Sequence, residues 1–236
     1  LNMTQNTPKI AKLAHLGIIM DGNRRWAAAN SLPKLEGHRR GYDKVKQVCD
    51  WCIAREIKIL TVYAFSSENW NRAPEEVSYL MDLFRTALLA ELEKFHTKGV
   101  RIKVIGQKER LAQDIQKLAA DAEAKTAQNE KLLLHLAISY GGRPEIVQAI
   151  KKIISQKISA ENITEALVEK NLWTAGVPDP DLIIRTSGEH RLSNFLSWQS
   201  AYSELLFIQK HWPDFSEQDL DAAIAEYNNR QRRYGK

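Results

Sequence analysis

His15-Leu-Gly-Ile-Ile-Met-Asp-Gly-Asn-Arg-Arg-Trp26 decides how the rest of the chain is read. Leu16–Met20 is an apolar run that stops abruptly at Asp21-Gly22-Asn23. A short apolar run bounded by turn residues reads as a buried strand. A helical pattern follows from about Gly41 to Arg55, then a second apolar, β-branched run, Ile57–Phe65, which ends at Ser66-Ser67-Glu68-Asn69. Strand, polar turn, helix, strand is the pattern of a parallel sheet.

The alternation continues outward. Pro74 suits a helix's first turn, and Val77, Leu80, Met81, Phe84, Leu88, Leu92 and Phe95 recur at helical spacing up to Gly99. Strands are expected at Val100–Ile105, Leu132–Ser139, Asp181–Arg185 and Glu204–Ile208. Helices are expected at Glu109–Asn129, Glu145–Ser155, Thr164–Asn171 and Asn194–Tyr202, and from Ser216, where Asp219 completes a capping box. The expectation is an α/β single domain: a central, mostly parallel sheet of about six strands flanked by helices. Residues 1–14 form an N-terminal arm and 15–236 the domain.

Composition narrows the class. With 236 residues, 44% hydrophobic and 27% charged, the chain can bury one sizeable core and is not a disordered polymer. Its most apolar stretches, Lys131–Tyr140 and Lys58–Phe65, fall short of the roughly 20 residues a membrane span needs. Leu1–His15 shows no apolar leader segment, so a cytoplasmic location is expected. Cys49-Asp-Trp-Cys52 lies inside a helical pattern without a second ligand pair, and reads as two ordinary helix residues in a reducing compartment. The net charge of +5 is interleaved with acids, which argues against a nucleic-acid tail and suits an anionic substrate or a membrane surface.

Chemistry gathers where the strands end. Asp21-Gly22-Asn23-Arg24-Arg25 offers a carboxylate for Mg²⁺, a turn glycine and two guanidiniums for phosphate. Ser66–Arg72 adds hydroxyls, an amide and an arginine, with a possible capping role for the helix at Pro74. Arg185–Asn194 is a second basic, hydroxyl-rich loop, expected to lead into a helix N-terminus. In parallel sheets such clusters share one rim, where ligands bind. No P-loop, dinucleotide fingerprint, H-E-x-x-H or G-x-S-x-G is present, which leaves a phosphate site built on Arg and Mg²⁺.

Three long stretches, His15–Trp26, Thr61–Arg72 and Asp181–Glu204, resemble the signatures of the cis-prenyltransferases, as do Trp212-Pro213-Asp214-Phe215 and the terminal Arg232-Arg233-Tyr234-Gly235. The resemblance runs from about His15 to the end. It implies condensation of isopentenyl diphosphate onto an allylic diphosphate such as farnesyl diphosphate, each new double bond cis, with Mg²⁺ as cofactor. The product would be a long polyprenyl diphosphate that carries cell-wall sugars. By position, Asp21 and Asn69 are the catalytic pair. Gly22, Asn23, Arg24, Arg25, Trp26, Lys34 and His38 line the allylic pocket. Ser66, Ser67, Glu68, Trp70 and Arg72 form a second wall. Arg185, Arg191, Leu192 and Ser193 clamp isopentenyl diphosphate, and Asp21, His190 and Glu204 match metal positions. The family further implies a hydrophobic tunnel, expected along Val77, Leu80, Met81, Phe84, Leu88, Leu132 and Leu134, a homodimer with Arg233-Tyr234-Gly235 completing the partner's site, and peripheral contact with the inner membrane through the product. Arg24, where long-chain members often carry glycine, keeps a shorter product open. A non-catalytic subunit of a heteromeric enzyme is the rival of another class, disfavoured by the retained Asp21 and Arg25. The absence of Asp-Asp-x-x-Asp disfavours trans-prenyl chemistry.

Overall fold

A computed structural model describes residues 12–230. Six parallel strands form one sheet in the order β3-β4-β2-β1-β5-β6. They are β1 (His15–Ile19), β2 (Ile59–Ser66), β3 (Val100–Ile105), β4 (Leu132–Tyr140), β5 (Leu182–Thr186) and β6 (Glu204–Ile208). The helices are α1 (Asn23–Ala29), α2 (Lys34–Ala54), α3 (Pro74–Ala90), α4 (Leu92–Thr97), α5 (Gln113–Thr126), α6 (Gly142–Ser155), α7 (Glu165–Asn171) and α8 (Glu217–Asn229). β1 lies centrally and pairs with β2 on one side and β5 on the other, Leu16 opposite both Leu60 and Leu182. From β1 the chain passes to β2, out to the edge at β3 and back to β4, then crosses to β5 and β6 on the other side, so the crevice at the carboxyl ends of β1 and β5 is the switch point where such sheets bind ligands.

Alternation along the strands sends residues to two apolar layers. Leu16, Ile18, Leu60, Val62, Leu134 and Ile184 pack under Val48 and Cys52 of α2 and Leu220 and Tyr227 of α8. Ile19, Ala137, Tyr140 and Ile183 meet Phe195 and Leu196 in a second cluster, and α3 and α5 close a third over Phe65 and Ile138. Both cysteine thiols are buried and pushed up by desolvation, Cys52 to about 12, so neither is a reactive thiolate.

Several boundaries differ from expectation. α2 begins at Lys34, directly after Pro33, so His38 sits on a helix. α1 fills what reads as a turn in the sequence, because Gly22 reverses the chain at φ 102° and Asn23 starts a helix immediately. The helix from Pro74 kinks at Glu91, with backbone hydrogen bonds intact on either side. Ser66 caps a 3₁₀ turn, Ser67–Asn71, and not α3. The expected helix Asn194–Tyr202 is absent: left-handed φ values at Ser193, Asn194 and Leu196 turn the chain repeatedly while Phe195 and Leu196 bury fully.

Candidate active site

β1 delivers Asp21 to the crevice. The Asp21 carbonyl accepts hydrogen bonds from Thr186 Oγ1 (2.7 Å) and the Trp212 N–H (3.0 Å), which ties it to the ends of β5 and β6. Gly22 is required twice over: its φ is left-handed, and a Cβ there would lie 2.5 Å from Ser187 Oγ. The Asp21 carboxylate accepts from Arg185 Nη2 at 2.8 Å and pairs with Arg25 Nη2 at 3.2 Å. Desolvation pushes its pKa up, yet the two guanidiniums together outweigh it and hold the carboxyl below its ordinary range.

Two polar clefts flank this carboxylate. One, of about 500 Å³, is lined by Asp21, Tyr63, Ser66, Glu68, Asn69, Arg72, Arg185, Ser193 and Asn194. The other, of about 400 Å³, is lined by Asp21, Gly22, Asn23, Arg24, Arg25, His38, Arg72, Glu189 and Arg191. Asp21, Met20 and Arg72 belong to both walls. Met20, Asn23 and His38 also line an apolar cavity that runs between α2 and α3 past Val45, Ala64, Leu80, Phe84, Leu88 and Leu134. The Arg24/Arg25 cleft and the apolar cavity therefore adjoin at Asn23 and His38.

Carboxylates hold the arginines of these clefts. Glu76, in the first turn of α3, meets Arg72 Nη1 (2.8 Å), His38 Nε2 (3.2 Å) and Arg24 Nη1 (3.5 Å). Burial works against its charge, but Arg72, Arg24 and His38 lower its pKa. Burial is also the main cause that lowers the His38 pKa, which keeps that imidazole neutral near pH 7. Glu189 bridges Arg25 Nη1 (3.2 Å) and Arg191 Nη1 (2.5 Å). Neither glutamate stands out locally in the sequence; an acid four residues after Arg72 was the available sign for Glu76.

The second wall is built by a capping box. Ser66 N–H donates to Asn69 Oδ1 (3.1 Å), and Asn69 N–H donates to Ser66 Oγ (3.2 Å), which aims the Asn69 amide. On the clamp side, Arg185 Nη1 donates to the Arg191 carbonyl (2.5 Å) and Ser193 Oγ (2.8 Å). Trp70 lies behind this wall: its indole N–H donates to Ser139 Oγ (2.9 Å), and its ring packs edge-on to Phe65. Behind the clamp, buried Glu145 accepts from the Tyr140 hydroxyl, Gln199 Nε2 (3.0 Å) and the Trp173 N–H (2.9 Å).

Not every expected site residue reaches the clefts. Trp26 turns away, its indole N–H donating to Asp214 Oδ1 at 2.7 Å. Lys34 is exposed at the start of α2, Ser67 lies against Gly141, and Leu192 packs on the cluster around Tyr140. Ser193 precedes tight turns, not a helix N-terminus. Asp21, His190 and Glu204 do not converge within one chain. His190 stacks on Phe207 (4.8 Å), while Glu204 starts β6, at the opposite end of the sheet, and accepts from Arg230 Nη1 (2.8 Å). Among the described residues no group of three or more His, Cys, Asp or Glu is placed to hold a metal. One ionised carboxylate beside guanidinium-lined clefts does suit Mg²⁺, which completes its shell with water and substrate phosphate oxygens.

Fold and site together define an α/β enzyme with two polar clefts sharing one carboxylate and an apolar cavity opening off one of them. The chain belongs to the family described as putative undecaprenyl diphosphate synthase, whose match spans residues 19–235. It is 45% identical over 225 residues to the ditrans,polycis-undecaprenyl-diphosphate synthase ((2E,6E)-farnesyl-diphosphate specific) of Legionella pneumophila (strain Paris), covering 94% of each chain. It is 49% identical over 222 residues to the isoprenyl transferase of Chromobacterium violaceum, covering 94% of this chain and 88% of that one. The crystal structure of lavandulyl diphosphate synthase from Lavandula x intermedia in complex with dimethylallyl diphosphate superposes with a TM-score of 0.92 at 36% identity, covering 95% and 99%.

Proposed function

We propose that this chain elongates an allylic diphosphate, farnesyl diphosphate above all, by repeated condensation with isopentenyl diphosphate in the cis configuration, to give undecaprenyl diphosphate. One observation carries the proposal: Asp21 is a wall common to two polar clefts, and the arginine-rich one opens into an apolar cavity. Two diphosphates and one growing hydrocarbon need that layout.

The allylic diphosphate lies against Arg24 and Arg25, displacing Glu76 and Glu189, with its hydrocarbon past Asn23 and His38 into the cavity. Isopentenyl diphosphate lies against Arg185 and Ser193, its double bond turned toward Asn69, whereas Arg191, expected in this clamp, lines the Arg24/Arg25 cleft. As the allylic C–O bond breaks, the isopentenyl double bond forms the new C–C bond to that carbon, and preoriented guanidiniums stabilise the charge that builds on the departing diphosphate. Asp21 is the residue that would hold Mg²⁺, which would supply further neutralisation of that charge. The released diphosphate takes the proton lost as the new double bond forms.

The active form is proposed to be a homodimer. Val147, Ile150 and Ile154 make an exposed apolar stripe along α6, a face that a second copy would bury. Arg233-Tyr234-Gly235, proposed to complete the partner's site, lies outside the described residues. No helix of the described residues is long and apolar enough to cross a membrane, so contact with one is proposed only through the product.

The test is incubation with labelled isopentenyl diphosphate, farnesyl diphosphate and Mg²⁺, followed by sizing of the extracted lipid. A ladder ending near the undecaprenyl length supports the proposal. A ladder ending after a few additions replaces it with short-chain synthesis, and no incorporation refutes it.

A further inference from the structure

The turns at 193–196, where a helix was expected, hold a side chain that no signature role accounts for. Asn194 adopts φ 66°, a conformation Asn tolerates better than most residues. Its backbone carbonyl accepts from the Gly142 N–H (2.7 Å), and its Oδ1 accepts from the Arg143 N–H (2.8 Å). These are two of the unpaired donors at the start of α6, which has no side-chain cap of its own. With Oδ1 fixed by a backbone donor, Nδ2 must face the other way, and it donates to Glu68 Oε1 at 2.9 Å. Gly141 and Gly142 admit this approach: a Cβ on Gly141 would lie 2.6 Å from Asn194 Nδ2, and one on Gly142 2.4 Å from Ser197 Oγ.

We propose that Asn194 is a positioning residue, whose amide latches Glu68 to the amino end of α6 and thereby fixes the distance between the Asn69 wall and the isopentenyl clamp. Glu68 adjoins Asn69 in the 3₁₀ turn, and Asn194 adjoins Ser193, whose hydroxyl accepts from Arg185. Tyr63 reaches across the same seam, its hydroxyl donating to the Ser193 carbonyl (3.3 Å) while its ring stacks on Phe195 (4.8 Å). Phe195 is fully buried, so the segment is anchored on one side of Asn194 and carries the clamp on the other. The Asn194 hydrogen bond helps hold Glu68 ionised against its desolvation, so the latch is charge-assisted.

The latch rests on the activity proposed above, and a swap of its two ends tests it. Asn194→Asp keeps the size and the acceptor for Arg143 N–H and adds a favourable charge at a helix start, but sets a second carboxylate against Glu68. It should leave thermal unfolding unchanged while raising the KM for isopentenyl diphosphate about tenfold or more, the loss expected for one charge-assisted hydrogen bond, with kcat moving less. In a Glu68→Gln background the same change should cost nothing further, because the new amide can donate to the new carboxylate. Asn194→Gly, which keeps the left-handed backbone and removes the amide, covers the case that Asn194→Asp does not fold; its penalty should vanish in a Glu68→Ala background. Equal penalties in both backgrounds, or a normal KM in Asn194→Asp, overturn the latch. Wild-type protein that fails to elongate overturns the proposed activity and the latch with it, whereas elongation with additive penalties overturns the latch alone.

Discussion

Asp21 concentrates the site's electrostatics in one side chain. Replacing it with Ala removes the carboxylate common to both clefts and leaves Arg185, whose side chain is 6% exposed, without its ionic partner. Turnover should fall by about 10²–10³, as for loss of one preorganised electrostatic group. Asp21→Asn retains an acceptor for Arg185, so it should fold normally and still lose comparable turnover; near-normal turnover at saturating Mg²⁺ would remove Asp21 from the chemistry. Residues of this kind were legible because they lie near one another in the chain: Asp21, Arg24 and Arg25 follow one strand, and Arg185 lies at the end of another that Ser193 follows. Glu76, Glu189 and Asn194 were not, because their meaning comes from partners such as His38, Arg25 and Glu68, which only the fold brings near. Glu204 misled for the converse reason. A sequence does not say which end of a strand faces the site, and β6 places Glu204 at the far one.

Secondary structure followed its local signals wherever these were strong. β3 and β6 fall where β-branched and apolar runs place them, and α8 starts on the Ser216–Asp219 capping box. The sequence fails where backbone conformation overrides pattern: at α1, launched from a left-handed Gly22, and at 194–202, where left-handed non-glycine residues and the buried Phe195 and Leu196 replace an amphipathic helix. Two elements carry predictions. On β2, Ala64 lines the apolar cavity, so Ala64→Leu should fill part of it and shorten the product while the first condensations continue; an unchanged product ladder would place the chain elsewhere. On α6, Ile150 is 47% and Ile154 68% exposed, an apolar stripe with Lys151 and Lys152 between them in the chain. Changing both isoleucines to Lys should shift sedimentation from dimer to monomer, and an undisturbed dimer would move the interface off α6.

Across the whole molecule, the sheet carries a polar seam within its core. His15 Nε2 lies 2.8 Å from Thr61 Oγ1, and His135 Nδ1 lies 3.5 Å from the same hydroxyl. Burial lowers the His15 pKa to about 4 and that of His135 to about 3. Both are neutral when folded, whereas the unfolded chain takes up protons below about pH 6.5. The unfolded state binds more protons from there down to about pH 4, so stability falls with acidification by up to roughly 1.4 kcal/mol per pH unit for each histidine. The urea midpoint should therefore drop between pH 7 and pH 5; a flat profile would mean that the seam hydrates or opens. The same sheet sets the larger arrangement, because the parallel pairing of β1 with β2 and β5 brings the carboxyl ends of all three to one crevice. The claim that this crevice holds two diphosphates on either side of Asp21 is tested most directly by a crystal structure with Mg²⁺, isopentenyl diphosphate and an unreactive farnesyl thiodiphosphate. The prediction is one diphosphate on Arg24 and Arg25 with its hydrocarbon running past Val45 and Ala64, and the other on Arg185 and Ser193. Both diphosphates in a single cleft, or the hydrocarbon lying outside the apolar cavity, would contradict it.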